Sequence, residues 1–174
     1  MAKETFLTGV ERTFDPDDII VSKTDLKGKI TYANKVFLDV AGYTLKEVMH
    51  QPHNMIRHPD MPRIIFKLLW DHVSTGKELF AYVMNRCKNG DHYWVLAHVT
   101  PSFNEAGEII GYHSNRRIPK RDTLESFIIP LYMKLKAIED GESDRKAGMA
   151  KAHAMLEGLL VEKNMRYDEF ILSI

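Results

Sequence analysis

Five side chains that can bind a polar or charged ligand lie within eleven positions of one another. They are His50, His53, Arg57, His58 and Asp60. Imidazole and guanidinium groups donate hydrogen bonds to carbonyl and anionic oxygens, and a carboxylate can orient a guanidinium or accept from a hydroxyl. Polar groups that point into a protein interior need polar partners there. This stretch therefore indicates a buried site for a polar ligand.

Proline residues interrupt the same stretch at Pro52, Pro59 and Pro62. Each proline lacks an amide donor and restricts the residue before it, so a long continuous helix is excluded. Short helical turns separated by bends are predicted instead. His58 and Asp60 have an alternative role as caps of the helix that starts near Pro62, because aspartate is a common N-cap residue.

The segments around this stretch alternate between apolar and polar residues as β-strands do. The predicted strands cover residues 19–24, 30–32, 78–86, 92–103 and 108–117. A turn at Gly28 joins the first two strands, and Asn89-Gly90 is a strong hairpin signal between the third and the fourth. A helix is predicted over residues 63–76. We therefore predict an α+β fold with a five-stranded antiparallel sheet, in which short helices are inserted between the second and third strands.

The first 18 residues are polar apart from isolated apolar residues. Phe6, Val10 and Phe14 recur every four positions, which permits a short amphipathic lid over the central region. We therefore divide the first part of the chain into an N-terminal cap over residues 1–18 and a central domain over residues 19–120.

Residues 121–174 have the apolar spacing of helices. A first helix is predicted from Asp122, a second over residues 147–161 with Ser143 as its N-cap, and a third over residues 164–174. Stripes of methionine and leucine on helices usually form packing surface. This C-terminal extension could pack on the sheet, form a homodimer or bind a receptor, and the sequence leaves these three alternatives open.

Charge and cysteine content argue against several classes of partner and site. Lysine plus arginine number 24, and aspartate plus glutamate number 24, so the net charge is zero and nucleic acid is not an expected partner. The single cysteine, Cys87, cannot form an intramolecular disulfide or a cysteine-based zinc site. No apolar run approaches the ~18 residues of a membrane span, and the N-terminus lacks a signal-peptide core. We expect a cytoplasmic protein without direct membrane insertion.

Recognisable catalytic arrangements are absent from the sequence. Gly28, Gly42 and Gly76 are scattered turn residues and do not form a phosphate-binding loop. The serines lack the context of a nucleophile elbow, and the histidines do not form an HExxH metal site. We therefore expect a binding protein and not an enzyme.

Four segments carry a family resemblance when they are taken together. TDLKGKITYAN, AGYTLKEV, QPHNMIRHPDMP and KNGDHYWV resemble the FAD-binding PAS domain of bacterial aerotaxis receptors over about residues 18–120. The resemblance implies a PAS fold, FAD as the cofactor, and a redox or energy sensor for aerotaxis or energy taxis. Similar stand-alone proteins act with a separate membrane-bound signalling protein, so a methyl-accepting-type signalling protein is the implied partner.

The resemblance also implies a set of cofactor-binding positions. They are Asn34, His53, Arg57, His58, Asp60, Phe66, Trp70, Asn85 and His113. Arg57, His58 and Asp60 match the polar triplet that the family needs for FAD retention, and Asn85 matches a strand asparagine that faces the flavin ring. His53 takes the position at which light-sensing flavin domains carry a reactive cysteine, so a cysteinyl-flavin adduct is not expected.

The chemistry of FAD suits these residue types. The pyrimidine edge of the flavin offers donors and acceptors, which an amide such as Asn85 can pair. The pyrophosphate suits Arg57 and His58, with arginine as the better bidentate partner. Trp70 or His53 could stack on a ring. Two alternatives stay open: a sensor for haem or another small molecule, with His53, His58 or His72 as the iron ligand, and a cofactor-free interaction module.

Overall fold

The structure is a computed structural model and describes residues 6–174 of the chain. Its strands are β1 Ile20–Thr24, β2 Ile30–Ala33, β3 Leu79–Arg86, β4 His92–Phe103 and β5 Ile109–Arg117. Its helices are α1 Lys35–Ala41, α2 Leu45–Val48, α3 Arg63–Val73, α4 Arg121–Thr123, α5 Ile129–Asp140, α6 Arg145–Lys163 and α7 Tyr167–Ser173. A 3₁₀ turn over His53–Ile56 precedes α3, and a π-helical turn over Leu124–Ile128 joins α4 to α5.

The five strands form one antiparallel sheet in the order β2-β1-β5-β4-β3. Three helices and the 3₁₀ turn lie between β2 and β3 in the chain, and the helical extension follows β5. The predicted α+β fold is therefore confirmed. Because β2 and β3 are the two edge strands, the segment that connects them must cross the whole width of the sheet.

The proline-rich stretch makes this crossing in short turns, as predicted. At one edge His50 N donates to Ile30 O at 2.8 Å and His53 N donates to Gly28 O at 2.9 Å. At the other edge Arg57 forms an isolated β-bridge with Asn85 of β3. The main chain is thus fixed at both edges of the sheet, and Ile56 between them is buried.

The first two helices have residues at their ends that are typical of helix caps. Asn34 is the N-cap of α1, and its Oδ1 accepts from Phe37 N at 3.0 Å. Gly42 ends α1 with φ +75°, a left-handed conformation that glycine adopts without strain. Thr44 and Glu47, three residues apart, form a capping box, in which the Glu47 carboxylate accepts from Thr44 N at 2.9 Å.

The inner face of the sheet forms the main core with α1 and α3. Tyr93, Val95, Ala97 and Val99 of β4 are all buried on this face, as the alternation predicts. Phe37 of α1 is fully buried among the same core residues. Each large apolar side chain buried in this way contributes about 1.5–3 kcal/mol to folding.

The predicted N-terminal lid is wrong over the residues that the structure describes. Thr8 N donates to Gly90 O at 3.0 Å, and His92 N donates to Val10 O at 2.9 Å, so the segment is extended along the β3–β4 hairpin. These main-chain bonds fix an extended segment, in which Phe6 and Val10 are exposed. Residues 1–5 of the predicted cap lie outside the described part of the chain.

The C-terminal helices reach the outer face of the sheet. Tyr132 of α5 packs on Trp94 of β4, with ring centroids 6.1 Å apart, and its hydroxyl donates to Tyr82 O at 2.8 Å. Ser143 is not the cap of α6, because Asp144 holds that position and its carboxylate accepts from the amides of Lys146 and Ala147. None of the helices within residues 6–174 combines the length and apolar character that a membrane crossing requires.

Two glycines of α6 allow a matched test of the packing between α5 and α6. A Cβ at Gly148 would lie 2.4 Å from Glu139 O, whereas a Cβ at Gly158 meets nothing within 4 Å. Gly148→Ala is expected to lower the free energy of unfolding by about 1–3 kcal/mol because the backbone of α5 must move. Gly158→Ala should raise it by up to about 1 kcal/mol through helix propensity. Urea unfolding of both variants measures the difference, and equal effects would contradict the close approach of the two helices.

Candidate functional site

A cavity of roughly 230 Å³ lies between the inner face of the sheet and α3. Much of its wall is apolar, and includes Leu69, Val73, Val83, Ala97 and Val99. Its polar wall includes Ser22, His53, Asn85, Ser114 and Arg116. One buried water needs only about 10–15 Å³, so the cavity has room for a far larger molecule. Apolar walls with a few convergent polar groups are typical of small-molecule sites.

The cavity reaches the surface between the β1–β2 turn, the 3₁₀ turn and α3. Three of its lining residues there, Lys27, Asn54 and Trp70, are exposed. Trp70 packs edge-on against Tyr112, with ring centroids 5.3 Å apart. A Cβ at Gly28 would lie 3.4 Å from the Trp70 ring, and the φ of Gly28 is +74°, so glycine suits both the turn and this contact.

Arg116 of β5 is the dominant charge of the cavity wall, and only 2% of its surface is exposed. Its Nε donates to Ser114 Oγ at 3.0 Å, and its Nη2 donates to Ser22 Oγ. Among residues 6–174 it forms no ion pair with a carboxylate. Burial lowers the pKa of the guanidinium, but arginine stays protonated in proteins. Burying a charge without an opposite charge lowers the stability of the fold, so Arg116 is an unfavourable residue for folding at this position.

His53 shows how the neighbours of Arg116 adapt to its charge. Arg116 Nη2 lies 3.2 Å from His53 Nε2, and because a guanidinium can only donate, Nε2 must be the acceptor. The neutral His53 ring then carries its proton on Nδ1. Burial and the charge of Arg116 lower the pKa of His53 to about 3. The imidazole is therefore a neutral part of the wall at physiological pH.

Two buried polar atoms near Arg116 lack a hydrogen-bond partner within the described chain. They are Arg116 Nη1 and the hydroxyl of Tyr93. Tyr93 is paired across the strands with Asn85 of β3, and burial raises the pKa of its hydroxyl, which therefore stays a donor. Buried donors are normally paired. Of these two residues only Arg116 lines the cavity, so a ligand that presents an acceptor atom there would satisfy its Nη1.

The structure brings most of the sequence-predicted site residues together at this cavity. His53, Arg57, Phe66, Trp70, Asn85 and His113 all line it. The Arg57 guanidinium lies 4.0 Å from the centre of the Phe66 ring. His113 has its Nε2 3.0 Å from Asn115 Oδ1. Whether these residues bind a cofactor stays a prediction.

Asn34 does not line the cavity. Its Oδ1 accepts from Val21 N and Phe37 N at 3.0 Å each, and its Nδ2 donates to Ile19 O at 2.7 Å. The side chain joins the start of α1 to β1. These contacts use both ends of the amide, so its position is explained without a ligand.

His58 and Asp60 also lie away from the cavity lining, and the prediction that they cap α3 is wrong. His58 packs against His92, with ring centroids 5.7 Å apart, and its Nδ1 accepts from Asp60 N at 3.2 Å. The first amides of α3 instead donate to the carboxylate of Glu139 on α5. A cap supplied from so far along the chain has no local sequence signal.

The histidines offered as iron ligands do not converge. His58 and His72 lie outside the cavity lining, and His72 Nδ1 is bonded to Leu68 O at 2.8 Å. His53 alone of the three lines the cavity, and its Nε2 faces Ser22 and Arg116. Over the described residues no group of three or more histidine, cysteine, aspartate or glutamate side chains could hold a metal ion.

Sequence reasoning missed Arg116, Ser22 and Tyr112. A signal for them exists in the alternation of the last strand, where Tyr112, Ser114 and Arg116 must share a face. Arg116 is followed by Arg117, so the pair reads as the solvated end of a strand. Only the register of β5 with β4 and β1 shows that Arg116 faces inward between Ala97 and Ile20.

Comparisons with known proteins agree with this geometry. A family model described as PAS fold matches residues 30–130. The aerotaxis receptor of Escherichia coli (strain K12) is 42% identical over 146 residues, which is 84% of this chain and 28% of the receptor. The nitrogen fixation regulatory protein of Klebsiella pneumoniae is 29% identical over 112 residues, which is 64% of this chain and 22% of that protein. This chain thus spans less than a third of either relative.

A solved structure shares the fold. The dark structure of the blue-light photoreceptor Aureochrome1 LOV matches with a TM-score of 0.57 and 20% sequence identity. The match covers 66% of this chain and 86% of that chain. At this identity the likeness concerns the fold alone.

The neutral state of His53 predicts a pH dependence of stability. The unfolded ring binds a proton below about pH 6.5, whereas the folded ring stays neutral to about pH 3, so stability falls as the pH falls through this window. The His53 contribution to the loss between pH 7 and pH 5 should be about 2 kcal/mol. Chemical unfolding across this range should show a shallower slope for His53→Asn than for wild type. The exposed His50, changed to asparagine, is the control and should keep the wild-type slope.

Proposed function

Since the chain belongs to the PAS fold family, we propose that its cavity binds FAD and that it senses redox state or energy status in aerotaxis or energy taxis. Its state passes by protein contact to a membrane-bound methyl-accepting-type signalling protein, and the chain acts in the cytoplasm. The similarity to the aerotaxis receptor of Escherichia coli supports this proposal.

The observation that carries the proposal is the pair of buried polar side chains Arg116 and Asn85, which both line the cavity. Arg116 Nη1 is a donor without a partner in the described chain, and the Asn85 amide can both donate and accept. A flavin has flat apolar faces and one edge of carbonyl oxygens and ring nitrogens. The apolar walls suit its faces, and Arg116 and Asn85 suit that edge.

Two further lining residues suit the rest of the cofactor. Arg57 and Lys27 both line the cavity and offer cations for a pyrophosphate, and the guanidinium of Arg57 is oriented by its stacking on Phe66. His58 does not line the cavity, so this role falls to Arg57 and Lys27. The half-exposed ring of Trp70 offers a surface on which an aromatic base can stack.

Bound FAD would supply the reversible uptake of electrons. Arg116 keeps a positive charge beside the cavity and therefore favours the more negative state of a ligand. Asn85 can exchange its donor and acceptor by rotating its amide. Asn85 belongs to the edge strand β3 and its main chain bridges Arg57, so a change in the hydrogen bonds of its side chain would occur at the sheet edge.

The first test is a visible absorption spectrum of the protein purified gently, followed by heat release and chromatography of the chromophore. Flavin bands with about one FAD released per chain are expected. A Soret band would favour haem instead. A colourless protein that also fails to bind added FAD would contradict the proposal and leave another small molecule or a cofactor-free interaction module.

Arg116 and Arg117 provide a matched pair of variants, because they are neighbours and only Arg116 is buried. Arg116→Met should weaken FAD binding by roughly 10- to 100-fold, which corresponds to the loss of a charged hydrogen bond. The same change should raise the unfolding free energy of the FAD-free protein by about 1–4 kcal/mol, because it removes an uncompensated buried charge. Arg117→Met should change neither quantity. Fluorescence titration and urea unfolding measure the two effects, and unchanged FAD affinity in Arg116→Met would remove the basis of the proposal.

A further inference from the structure

Glu139 lies on the last turn of α5, and only 1% of its surface is exposed. Its carboxylate accepts from two main-chain amides of α3, Arg63 N and Ile64 N, at 2.8 Å each. Arg63 adds a side-chain bond from Nε to the same carboxylate at 3.0 Å and another from Nη2 to Glu139 O at 3.1 Å. One residue of α5 therefore holds the start of α3 by four hydrogen bonds.

α3 depends on this contact because its own sequence supplies no cap. The N-cap residue, Pro62, forms no side-chain hydrogen bond to the helix. The first amides of a helix otherwise lack partners, and a carboxylate there also interacts favourably with the helix dipole. The dependence is mutual, because a buried carboxylate is stable only when it is paired and hydrogen-bonded.

α6 reaches the same point through Gly148. A Cβ at Gly148 would lie 2.4 Å from Glu139 O, so the backbones of α5 and α6 are in direct contact at the residue that holds α3. Arg63, Ile64, Glu139 and Gly148 thus form a junction of three helices, which we call the Glu139 junction. α3 cannot shift at its first turn without changing the bonds to Glu139.

The same helix forms one wall of the cavity. Phe66 and Trp70 line the cavity one and two turns after the Glu139 junction. A ligand that displaces these side chains acts on α3, and an α-helix transmits a displacement along its axis because its turns are hydrogen-bonded to each other.

We propose that Glu139 is a positioning residue that couples the cavity to the C-terminal helices, so that filling of the cavity changes the stability of α6. This inference rests on the proposed function in one respect, namely that FAD is the molecule that fills the cavity. In this proposal, the C-terminal helices respond to changes in the cavity.

Glu139→Gln tests the coupling with little change in size. The glutamine amide has one oxygen for two α3 amides, and its NH₂ group would face an N–H donor. Asp140→Asn is the matched control, because Asp140 is the next residue of α5, is exposed and pairs with Lys136. It removes the same charge without a contact to α3.

Hydrogen–deuterium exchange of the full chain, with and without added FAD, is the measurement. In wild type and in Asp140→Asn, FAD should slow exchange in the first turns of α3 and in residues 148–156 of α6. In Glu139→Gln, FAD should still slow exchange in α3, whereas the change in α6 should shrink by about tenfold or more, the factor expected for a charged hydrogen bond. An α6 response of wild-type size in Glu139→Gln would overturn the inference, as would an α3 response in wild type without one in α6.

A second comparison needs no ligand and separates this inference from the proposed function. Phe66→Ala perturbs α3 from the cavity side, and it should speed exchange in residues 148–156 only when Glu139 is present. A protein that fails to bind FAD but shows this dependence would contradict the proposed function and support the coupling. If Phe66→Ala has equal effects in the wild-type background and in the Glu139→Gln background, the coupling is overturned, whatever FAD does.

Discussion

The buried guanidinium of Arg116 is the constraint to which the rest of the cavity conforms. Its cost is reduced by the hydroxyls of Ser22 and Ser114, by the ring of Phe37 at 5.3 Å, and by a histidine, His53, that stays neutral and accepts a hydrogen bond. A carboxylate in the same place would compensate the charge fully, but it would also remove the positive potential from the cavity. The wall instead lowers the cost of the cation and leaves its charge available.

The irregular crossing segment follows from the same requirement. A regular helix across the sheet would repeat its side chains every 3.6 residues and satisfy its own amides. The proline-divided stretch instead uses its amides to attach to β2 at one edge and to β3 at the other. This brings His53 to Arg116, and it brings Arg57 to the main chain of Asn85. The prolines prevent a regular helix, and the main-chain amides of the segment are therefore free to bond to the edge strands.

The sequence predicts what depends on neighbours in the chain and misses what depends on distant contacts. The strands, the short turns and the Thr44–Glu47 capping box have local patterns, and they are found. Asn34 matches a cofactor-binding position of the resembled family, but its amide caps α1 and does not line the cavity. Alternation groups Arg116 with Tyr112 and Ser114, but only strand register shows that this face points inward. The cap of α3 by Glu139 depends on packing between residues 76 positions apart, so no local pattern indicates it. The N-terminal lid rested on the spacing of isolated apolar residues, which main-chain bonds to the hairpin override.

Arg116 and Glu139 are both buried charges, but they differ in their hydrogen bonds. Glu139 is bonded to α3, whereas Arg116 has a donor that faces the cavity. The Glu139 carboxylate accepts three hydrogen bonds from Arg63 and Ile64 of α3, so its charge stabilises the contact between the two helices. Arg116 keeps a donor that no described residue accepts, so its charge is directed at whatever enters the cavity. α3 lies between the two roles, because Phe66 lines the cavity and Arg63 binds Glu139. In the proposed coupling, a change at the cavity therefore reaches the C-terminal helices through α3.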